Sequence, residues 1–287
     1  MNELVARLRA AGCVFAEDEA RILTEAADGD AARLDELVTA RVGGLPLEHL
    51  VGWAELDGRR WLVAPGVFVP RQRSELLVRE ASARATAGTP EHPFLLVDLC
   101  CGCGALGGAV AARLLAAGHD VELHAADVDP VAVTCAHDNL KALAEEFAAP
   151  GATHPGDGGH AVRAGRLTAH TSTGDLAEPL PAGVWGRVDV LVANAPYVPT
   201  GSIALMPPEA RDHEPQVALD GGPDGLDVQR RVIAAAPRWL APGGSLLIET
   251  SERQALSTAA AMADAGLTPR VERSDELDAT AVVGTRA

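Results

Sequence analysis

The sequence has few aromatic residues, which make up only 3% of its 287 residues: four Phe, four Trp and one Tyr. Proteins that hold single-stranded nucleic acid stack bases on aromatic side chains, and this composition gives no support to such a platform. Blocks of five or more Lys or Arg are also absent, and the formal net charge is −16. Because an acidic surface repels a phosphate backbone, we do not expect nucleic acid to be a partner.

Long hydrophobic runs are absent as well. The most lipid-like stretch, Ala105 to Gly118, is interrupted by Arg113 and is shorter than the roughly 20 residues that span a bilayer. Met1 is followed by a charged amphipathic pattern that is not typical of a secretory signal. We therefore expect a cytoplasmic protein with no membrane partner.

The chain contains five cysteines, an odd number that does not favour a disulfide framework. Cys100 and Cys103 form a C-x-x-C pair, which is one half of many zinc sites, but no second pair or nearby His completes four ligands. We interpret these cysteines as small residues in a tight glycine turn and predict no metal site.

The length is compatible with about two domains, and the pattern of the chain changes near residue 88. Residues 1 to about 45 have apolar residues at helical spacing, with Asp30 as an N-cap and Gly43-Gly44 ending the third helix. A short hairpin follows, with Asp57-Gly58 at a type I′ turn. Its predicted strands are Trp53–Leu56 and Arg60–Val63.

Between the hairpin and the second region, the pattern predicts a helix from about Ser74 and a linker at 87–90. We divide the chain into a helical domain with its hairpin, 1–88, and a second domain, 89–287.

From Phe94 onward, strands and helices alternate, as expected for a doubly wound α/β sheet. A segment rich in Gly, Pro and Ala, Ala149–Gly159, is predicted to be a mobile insertion. The predicted strands are Phe94–Leu99, Val121–Ala126, Leu167–His170, Val188–Ala193, Ser245–Thr250, Leu267–Glu272 and Thr280–Thr285.

The first strand of this region runs into a glycine turn, Cys100 to Gly104, and the next strand ends at Asp127, 23 residues after Gly104. Glycine lacks a Cβ, so the backbone of such a turn can approach a ligand closely. A carboxylate at the next strand end can accept hydrogen bonds from both ribose hydroxyls. This combination predicts a nucleoside cofactor.

The chemistry of the turn favours S-adenosylmethionine over NAD. A pyrophosphate site typically has G-x-G-x-x-G, whereas Cys100 occupies the first glycine position here. Asp98 would lie close to the ammonium group of a bound amino-acid moiety, and a carboxylate suits a zwitterion better than an anionic pyrophosphate. An NAD-dependent dehydrogenase remains an alternative at this point.

The tetrapeptide Asn194-Ala195-Pro196-Tyr197 follows the apolar strand Val188–Ala193 and contains the only tyrosine. The carboxyl ends of parallel strands line the ligand crevice of an open sheet, so this segment should face the cofactor. An ordinary Pro-containing turn with Asn as a local cap is the alternative.

The tetrapeptide resembles the Asn-Pro-Pro-Tyr motif of amino- and amide-directed methyltransferases that use S-adenosylmethionine. Further segments are similar to the protein N5-glutamine methyltransferases that modify peptide chain release factors, and the resemblance runs from about residue 45 to the end. Two residues depart from the family pattern: Ala195 replaces the first proline of the motif, and Cys100 replaces a glycine of the turn. These departures leave open a paralogue that acts on a glutamine of another protein. The segments that carry the resemblance are Pro46–Gly52, Phe68–Glu75, Glu214-Pro215, Ala218–Gly222, Asp224–Leu226 and Pro242–Gly244.

The resemblance implies a seven-stranded, Rossmann-like class I methyltransferase sheet, a small helical N-terminal domain for substrate recognition (1–88) and a linking hairpin. It implies S-adenosylmethionine as cofactor, S-adenosylhomocysteine as product, and a release-factor-like protein carrying a target glutamine as partner. The cofactor-binding residues that it implies are Asp98, Cys100, Cys101, Gly102, Cys103, Gly104, Asp127, Asp175, Leu176 and Asn194.

On the substrate side, the resemblance implies Asn194, Ala195, Pro196 and Tyr197 as catalytic residues. Asn194, Pro196 and Tyr197 would also bind substrate, together with Arg71, for which a plain ion pair with Glu75 is the alternative. Our hypothesis is that the side-chain oxygen of Asn194 and the carbonyl of Ala195 accept the two amide hydrogens, while Tyr197 stacks on the planar amide.

Three other functions stay open from the sequence. A DNA adenine methyltransferase uses a similar tetrapeptide on a flipped base, although the acidic charge counts against it. The same fold also serves small amine or amide substrates. A cofactor-binding module without catalysis is the third.

Overall fold

A seven-stranded sheet is the centre of the computed structural model, which describes residues 2–85, 92–149, 153–155 and 161–287. The linker predicted at 87–90 lies outside the described residues. The strands are β1 (Trp53–Leu56), β2 (Arg59–Leu62), β3 (Phe94–Leu99), β4 (Val121–Asp127), β5 (Thr153–Pro155), β6 (Ala161–Arg163), β7 (Leu167–Thr173), β8 (Val188–Ala193), β9 (Leu240–Thr250), β10 (Leu267–Ser274) and β11 (Ala279–Arg286).

Helices cover both faces of the sheet and form the N-terminal region. Short 3₁₀ turns at Gln72–Ser74, Ala182–Val184 and Thr200–Leu205 connect some of the elements. The α-helices are α1 (Asn2–Ala10), α2 (Ala16–Ala26), α3 (Ala31–Val42), α4 (Leu47–Val51), α5 (Glu75–Ser82), α6 (Ala105–Ala116), α7 (Pro130–Ala148), α8 (Pro208–His213), α9 (Gln216–Leu219), α10 (Asp227–Trp239) and α11 (Ala255–Asp264).

The strand order is β10-β11-β9-β8-β3-β4-β7, and β11 runs antiparallel to both of its neighbours. The prediction of a doubly wound, seven-stranded sheet is confirmed. Strand β3 lies inside the sheet between β8 and β4, and all six of its residues are buried, as its continuous apolar run predicts. The ends of β3, β4 and β8 therefore meet at one edge, where the predicted site residues follow.

Several boundaries differ from the sequence prediction. Strand β2 begins at Arg59, one residue earlier than predicted, because Asp57 and Gly58 alone form the turn with φ of 56° and 69°. Strand β9 begins at Leu240 rather than Ser245, since Leu240 pairs with Val188 ahead of a shift in register. Within the predicted insertion 149–159, Thr153–Pro155 pairs antiparallel with Ala161–Arg163, and the rest of that segment apart from Ala149 lies outside the described residues.

Small residues allow helix α6 to lie tightly between the sheet and the hairpin. A Cβ on Gly107 would come within 2.8 Å of Asp98 Oδ2, and one on Gly108 within 2.5 Å of the Trp61 ring. Trp61 is itself buried and donates its indole N–H to the Leu56 carbonyl at 3.1 Å. The hairpin thus belongs to the core that covers one face of the sheet.

The N-terminal helices have a core of their own, built from residues between Leu8 and Val38. Asp30 caps α3 as predicted, accepting hydrogen bonds from the backbone N–H of Ala32 and Arg33. The boundary proposed between residues 88 and 89 falls outside the described residues, so the division into two domains stays a prediction. Among the described helices, none is both long and apolar enough to cross a bilayer.

Candidate active site

A cavity of about 330 Å³ opens at the carboxyl ends of β3, β4 and β8. Seven of the residues predicted from the sequence border it, and apolar side chains such as Phe68 and Val217 form much of its wall. The seven residues are Cys100, Gly102, Asp127, Asp175, Leu176, Asn194 and Pro196.

A second, smaller cavity of about 30 Å³ lies against the glycine turn. Cys101 and Cys103 border it, together with Ser74, and the two cavities share Cys100 and Asn194 among their lining residues. The predicted turn and the predicted tetrapeptide therefore come together in space, although they are far apart in sequence.

Every second residue of the glycine turn has a left-handed backbone conformation, and one of these three residues is not glycine. Cys100 has φ of 56°, Gly102 53° and Gly104 76°. A side chain in this conformation costs about 1–2 kcal/mol, so the glycine that the resemblance implies at position 100 would be less strained than Cys100. The backbone N–H of Cys101 donates to the Ala126 carbonyl at 3.1 Å, which ties the turn to β4.

Burial raises the pKa of all three thiols in this turn. It raises the pKa of Cys103 to about 12 and raises those of Cys100 and Cys101 as well. Protonated thiols are poor metal ligands and poor nucleophiles. This agrees with our interpretation of these residues as structural parts of the turn.

Asp127 stands at the end of β4 and holds the turn from the other side. Its Oδ2 accepts a hydrogen bond from the Gly102 N–H and its Oδ1 accepts one from the Asp129 N–H, both at 2.9 Å. A carboxylate has about four lone-pair positions, so each oxygen can accept one more hydrogen bond. Burial raises the pKa of Asp127. Its position on the cavity wall suits an acceptor for a diol.

Asp98 and Gly104 do not border either of these two cavities, and their contact with the cofactor stays a prediction. Asp98 is fully buried beneath the start of α6, where its Oδ2 accepts a hydrogen bond from the Gly107 N–H at 2.8 Å. Its Oδ1 is buried without a hydrogen-bond partner among the described residues. Gly104 instead lies against Ala136 of α7. The side chain at 98 faces a helix N-terminus because α6 begins directly above the strand end.

Replacing Asp98 with asparagine should remove a pH dependence of stability. Burial raises the pKa of Asp98 from 3.8 to about 7, so the folded chain retains a proton that the unfolded chain releases. This stabilising contribution is complete below about pH 4 and is lost as the pH rises through 7. As the pH rises between these values, the free energy of unfolding of the Asp98→Asn variant should increase relative to that of the wild type. The increase is at most about 1.4 kcal/mol per pH unit. Urea unfolding at several pH values measures this difference, and a pH-independent difference would contradict the assignment.

The tetrapeptide turns away from β8 with Asn194 at the cavity and Tyr197 behind it. The Asn194 Nδ2 donates to the Ser74 Oγ at 3.4 Å, which orients the amide. Ala195 is buried, with 1% of its surface exposed, while Pro196 contributes to the cavity wall. Tyr197 borders neither cavity, and its hydroxyl donates to Glu249 Oε1 at 3.2 Å.

Glu249 connects these groups, and the sequence analysis missed it. It is only 2% exposed, near the end of β9, where it accepts hydrogen bonds from the Ser74 Oγ (2.6 Å), the Arg73 Nε (3.1 Å) and the Tyr197 hydroxyl. Its signal in the sequence is a carboxylate inside the apolar strand predicted at Ser245–Thr250. The glutamate thereby fixes the side chains that lie behind Asn194.

Arg71 pairs with Glu214, a partner far away in sequence, and not with Glu75. Glu75 instead faces Arg79 at 3.4 Å, so the alternative of an Arg71–Glu75 ion pair is wrong. The Glu214 side chain is almost fully buried. Arg71 borders neither cavity, and it joins the segment before α5 to the loop that carries Pro215, a residue of the cavity wall.

The Gly-rich loop after α9 holds the tetrapeptide backbone. A Cβ on Gly221 would lie 2.7 Å from the Pro196 carbonyl oxygen, and one on Gly225 would lie 2.3 Å from that of Tyr197. Gln254 donates from its Nε2 to the same Tyr197 carbonyl at 3.0 Å. This loop requires glycine because a side chain would displace the tetrapeptide.

Comparison with known proteins adds the following findings. No protein-family model matches the chain. A release factor glutamine methyltransferase from Moorella thermoacetica is 34% identical over 235 residues, covering 82% of this chain and 72% of the relative. One from Mycolicibacterium smegmatis has the same identity over the same lengths.

Among solved structures, a 16S rRNA methyltransferase from T. thermophilus in complex with AdoMet and guanosine aligns with a TM-score of 0.52. The match covers 82% of this chain and 50% of that one, at 18% sequence identity. At this identity the likeness shows a shared fold and nothing further.

Proposed function

The chain belongs to the release factor glutamine methyltransferase family, and from this premise we propose its reaction. It transfers a methyl group from S-adenosylmethionine to the side-chain amide nitrogen of a glutamine in a peptide chain release factor. The observation that carries the proposal is the position of Asn194, whose amide borders both cavities beside the glycine turn.

The larger cavity suits the nucleoside part of this cofactor. Asp127 offers two carboxylate oxygens with remaining acceptor capacity, the feature that ribose hydroxyls require. Leu176 and Phe68 contribute apolar surface against which a base can pack. We propose that Asp127 binds the ribose and that Asp175 and Leu176 lie beside the adenine.

The glycine turn would hold the methionine part, with backbone from Cys100 to Gly104 close to the ligand. When bound, the cofactor supplies an electrophilic methyl group on a positively charged sulfur. Asp98 acts as a positioning residue for α6, since its Oδ2 accepts the hydrogen bond from the Gly107 N–H. The Asp127 carboxylate, on the wall of the larger cavity, gives this end of the sheet the negative charge that a cationic ligand prefers.

The amide nitrogen of glutamine is a weak nucleophile, because its lone pair is delocalised into the carbonyl. Residues of the chain must therefore hold this nitrogen in position. The Ser74 Oγ accepts from the Asn194 Nδ2, and this leaves the Asn194 Oδ1 to accept a hydrogen bond from a substrate amide. We propose the Ala195 carbonyl as the second acceptor. Holding a substrate nitrogen in line with its methyl donor can lower the barrier by about 7 kcal/mol or more.

Tyr197 is a positioning residue in this proposal. Its hydroxyl donates to Glu249, and the Arg73 guanidinium lies 5.8 Å from the centre of its ring. Burial raises the pKa of Tyr197, so the phenol stays protonated and does not act as a base. The predicted stacking of Tyr197 on the substrate amide would need the ring to reach the cavity, and it stays a prediction.

We infer a role in recognition of the protein substrate for the N-terminal helices, because they contact a segment that leads to the large cavity. Arg41 of α3 is buried and pairs with both Glu19 of α2 and Glu209 of α8 at 2.6 and 2.7 Å. Helix α8 leads directly into Pro215, which borders the large cavity. We propose that residues 1–88 present the release factor to this cavity.

The proposed function is tested by incubating the protein with labelled S-adenosylmethionine and a panel of release factors, followed by peptide mass mapping. We expect one methyl group on one glutamine, and no label in a release factor whose target glutamine is replaced by alanine. Duplex DNA and small amides are included as competing substrates. Label in DNA or in a small amide only, or in none of these, would overturn the proposal. Calorimetric titration with S-adenosylmethionine and NAD separates the methyltransferase from a dehydrogenase.

A further inference from the structure

Two histidines and a glutamate form a cluster on the sheet, away from the cavities described above. Glu122 and His124 belong to β4, and His170 belongs to the neighbouring β7. The His124 Nε2 lies 2.9 Å from Glu122 Oε1, and the two imidazole rings are stacked with their centres 4.7 Å apart. One nitrogen or oxygen atom from each residue lies within 4.8 Å of the others.

The register of the sheet brings these side chains together. Successive side chains of a strand point to opposite faces, so Glu122 and His124 share a face while Leu123 points into the core on the other side. His124 and His170 are direct partners in the parallel ladder. The cluster therefore follows from the pairing of β4 with β7 and needs no unusual backbone.

The cluster is accessible to solvent. Strand β7 is the edge of the sheet, and the described connection from β7 to β8 contains only the short 3₁₀ turn Ala182–Val184 rather than an α-helix. His124 is 5% exposed, whereas 28% of the Glu122 side chain is exposed and His170 is exposed. A small ion can reach the cluster from the side of His170.

The donor set matches the ligands that zinc prefers. Imidazole nitrogen and carboxylate oxygen bind zinc at about 2.0–2.2 Å, and sites with three protein ligands complete the coordination with water. Two atoms that share one tetrahedral ion at this distance are about 3.3 Å apart. The His124 Nε2 and Glu122 Oε1 are 2.9 Å apart, so a small movement of the partly exposed Glu122 side chain gives the required separation. The exposed His170 side chain can rotate to bring its nitrogen to the same distance.

We propose that Glu122, His124 and His170 bind a divalent transition-metal ion of the zinc class. Each neutral imidazole donates the lone pair of one ring nitrogen and keeps its proton on the other, while Glu122 binds as a carboxylate. No metal site was predicted here from the sequence, because His124 and His170 are far apart in the chain and meet only through the register of the sheet.

Such an ion would tie the edge strand to β4. Strand β4 ends at Asp127, and β7 leads to Asp175 and Leu176, so both strands carry residues of the large cavity. Because the ion would bind the folded chain and not the unfolded one, it would also raise the apparent stability.

The test uses the untagged full-length protein after removal of metal with a chelator, and zinc alone as the ligand. We expect one equivalent of zinc to bind by calorimetry, cobalt to give the visible absorption of a low-coordinate site, and zinc to raise the melting temperature. The His170→Ala and Glu122→Gln variants should each weaken zinc binding at least tenfold. Both side chains are at least partly exposed, so the variants should keep the circular dichroism spectrum of the wild type.

The control is His137→Ala, which removes an exposed histidine from α7 and should leave zinc binding unchanged. Two results overturn the proposal: no zinc binding by the wild type, or equal zinc binding by the wild type and the His170→Ala variant. The second result would indicate binding elsewhere, for example at cysteine.

Discussion

Replacing Asn194 with alanine is expected to lower the rate of methyl transfer about a thousandfold while the chain remains folded. The side chain borders both cavities, and its orientation is set by the hydrogen bond from its Nδ2 to Ser74. Removing one preorganised polar contact to the reacting group typically costs a factor of about 10²–10³ in enzymes. The loss of positioning for the amide nitrogen adds to this factor.

The measurement is a single-turnover methylation assay at saturating S-adenosylmethionine. Asn2→Ala, an exposed substitution of the same kind in α1, is the matched control and should retain the wild-type rate. The Asn194→Asp variant keeps an oxygen acceptor but loses the donor to Ser74, and we expect it to fall between the two. A rate for Asn194→Ala within a few fold of the wild type would refute the role of this side chain.

Replacing Asp127 with asparagine is expected to weaken the binding of S-adenosylmethionine about a hundredfold. The substitution keeps the shape of the side chain but turns one of two acceptors into a donor, which would face the Gly102 or Asp129 N–H. A hydrogen bond to a charged acceptor contributes about 1.5–3 kcal/mol, and the loss of one or two of them accounts for this factor.

Calorimetric titration with S-adenosylmethionine and with S-adenosylhomocysteine measures the loss, which should be similar for the two because the ribose is common to both. Asp138→Asn, on an exposed position of α7, is the matched control and should bind like the wild type. Unchanged affinity of the Asp127→Asn variant would mean that this carboxylate does not contact the cofactor.

The two variants separate the parts of the site. Asn194→Ala should affect the rate more than cofactor affinity, whereas Asp127→Asn should affect affinity first. If both changed affinity alone, the tetrapeptide would belong to the cofactor site and the substrate would have to bind elsewhere. If both changed the rate alone, the large cavity would not be the nucleoside site.

The contacts of Glu249 could not be predicted from the sequence. Its position near a strand end was predictable, but its three hydrogen-bond partners come from the segment before α5 and from the tetrapeptide. No local pattern relates residues 73–74 to residue 249. The partner of Arg71 could not be predicted either. Helical spacing suggests the nearby Glu75, whereas Arg71 pairs with Glu214 in the fold.

The alternation of strands and helices, the turn after Leu99 and the positions of Asp127 and Asn194 at strand ends could all be predicted from the sequence. These features depend on local periodicity and on residues that favour turns, which act over a few neighbouring positions. The contacts between distant residues depend on the folded chain, in which Asp98 is buried beneath α6, Tyr197 lies behind Asn194, and His124 pairs with His170. Such contacts depend on strand register and on helix packing, and both are set by the combined burial of segments far apart in the chain.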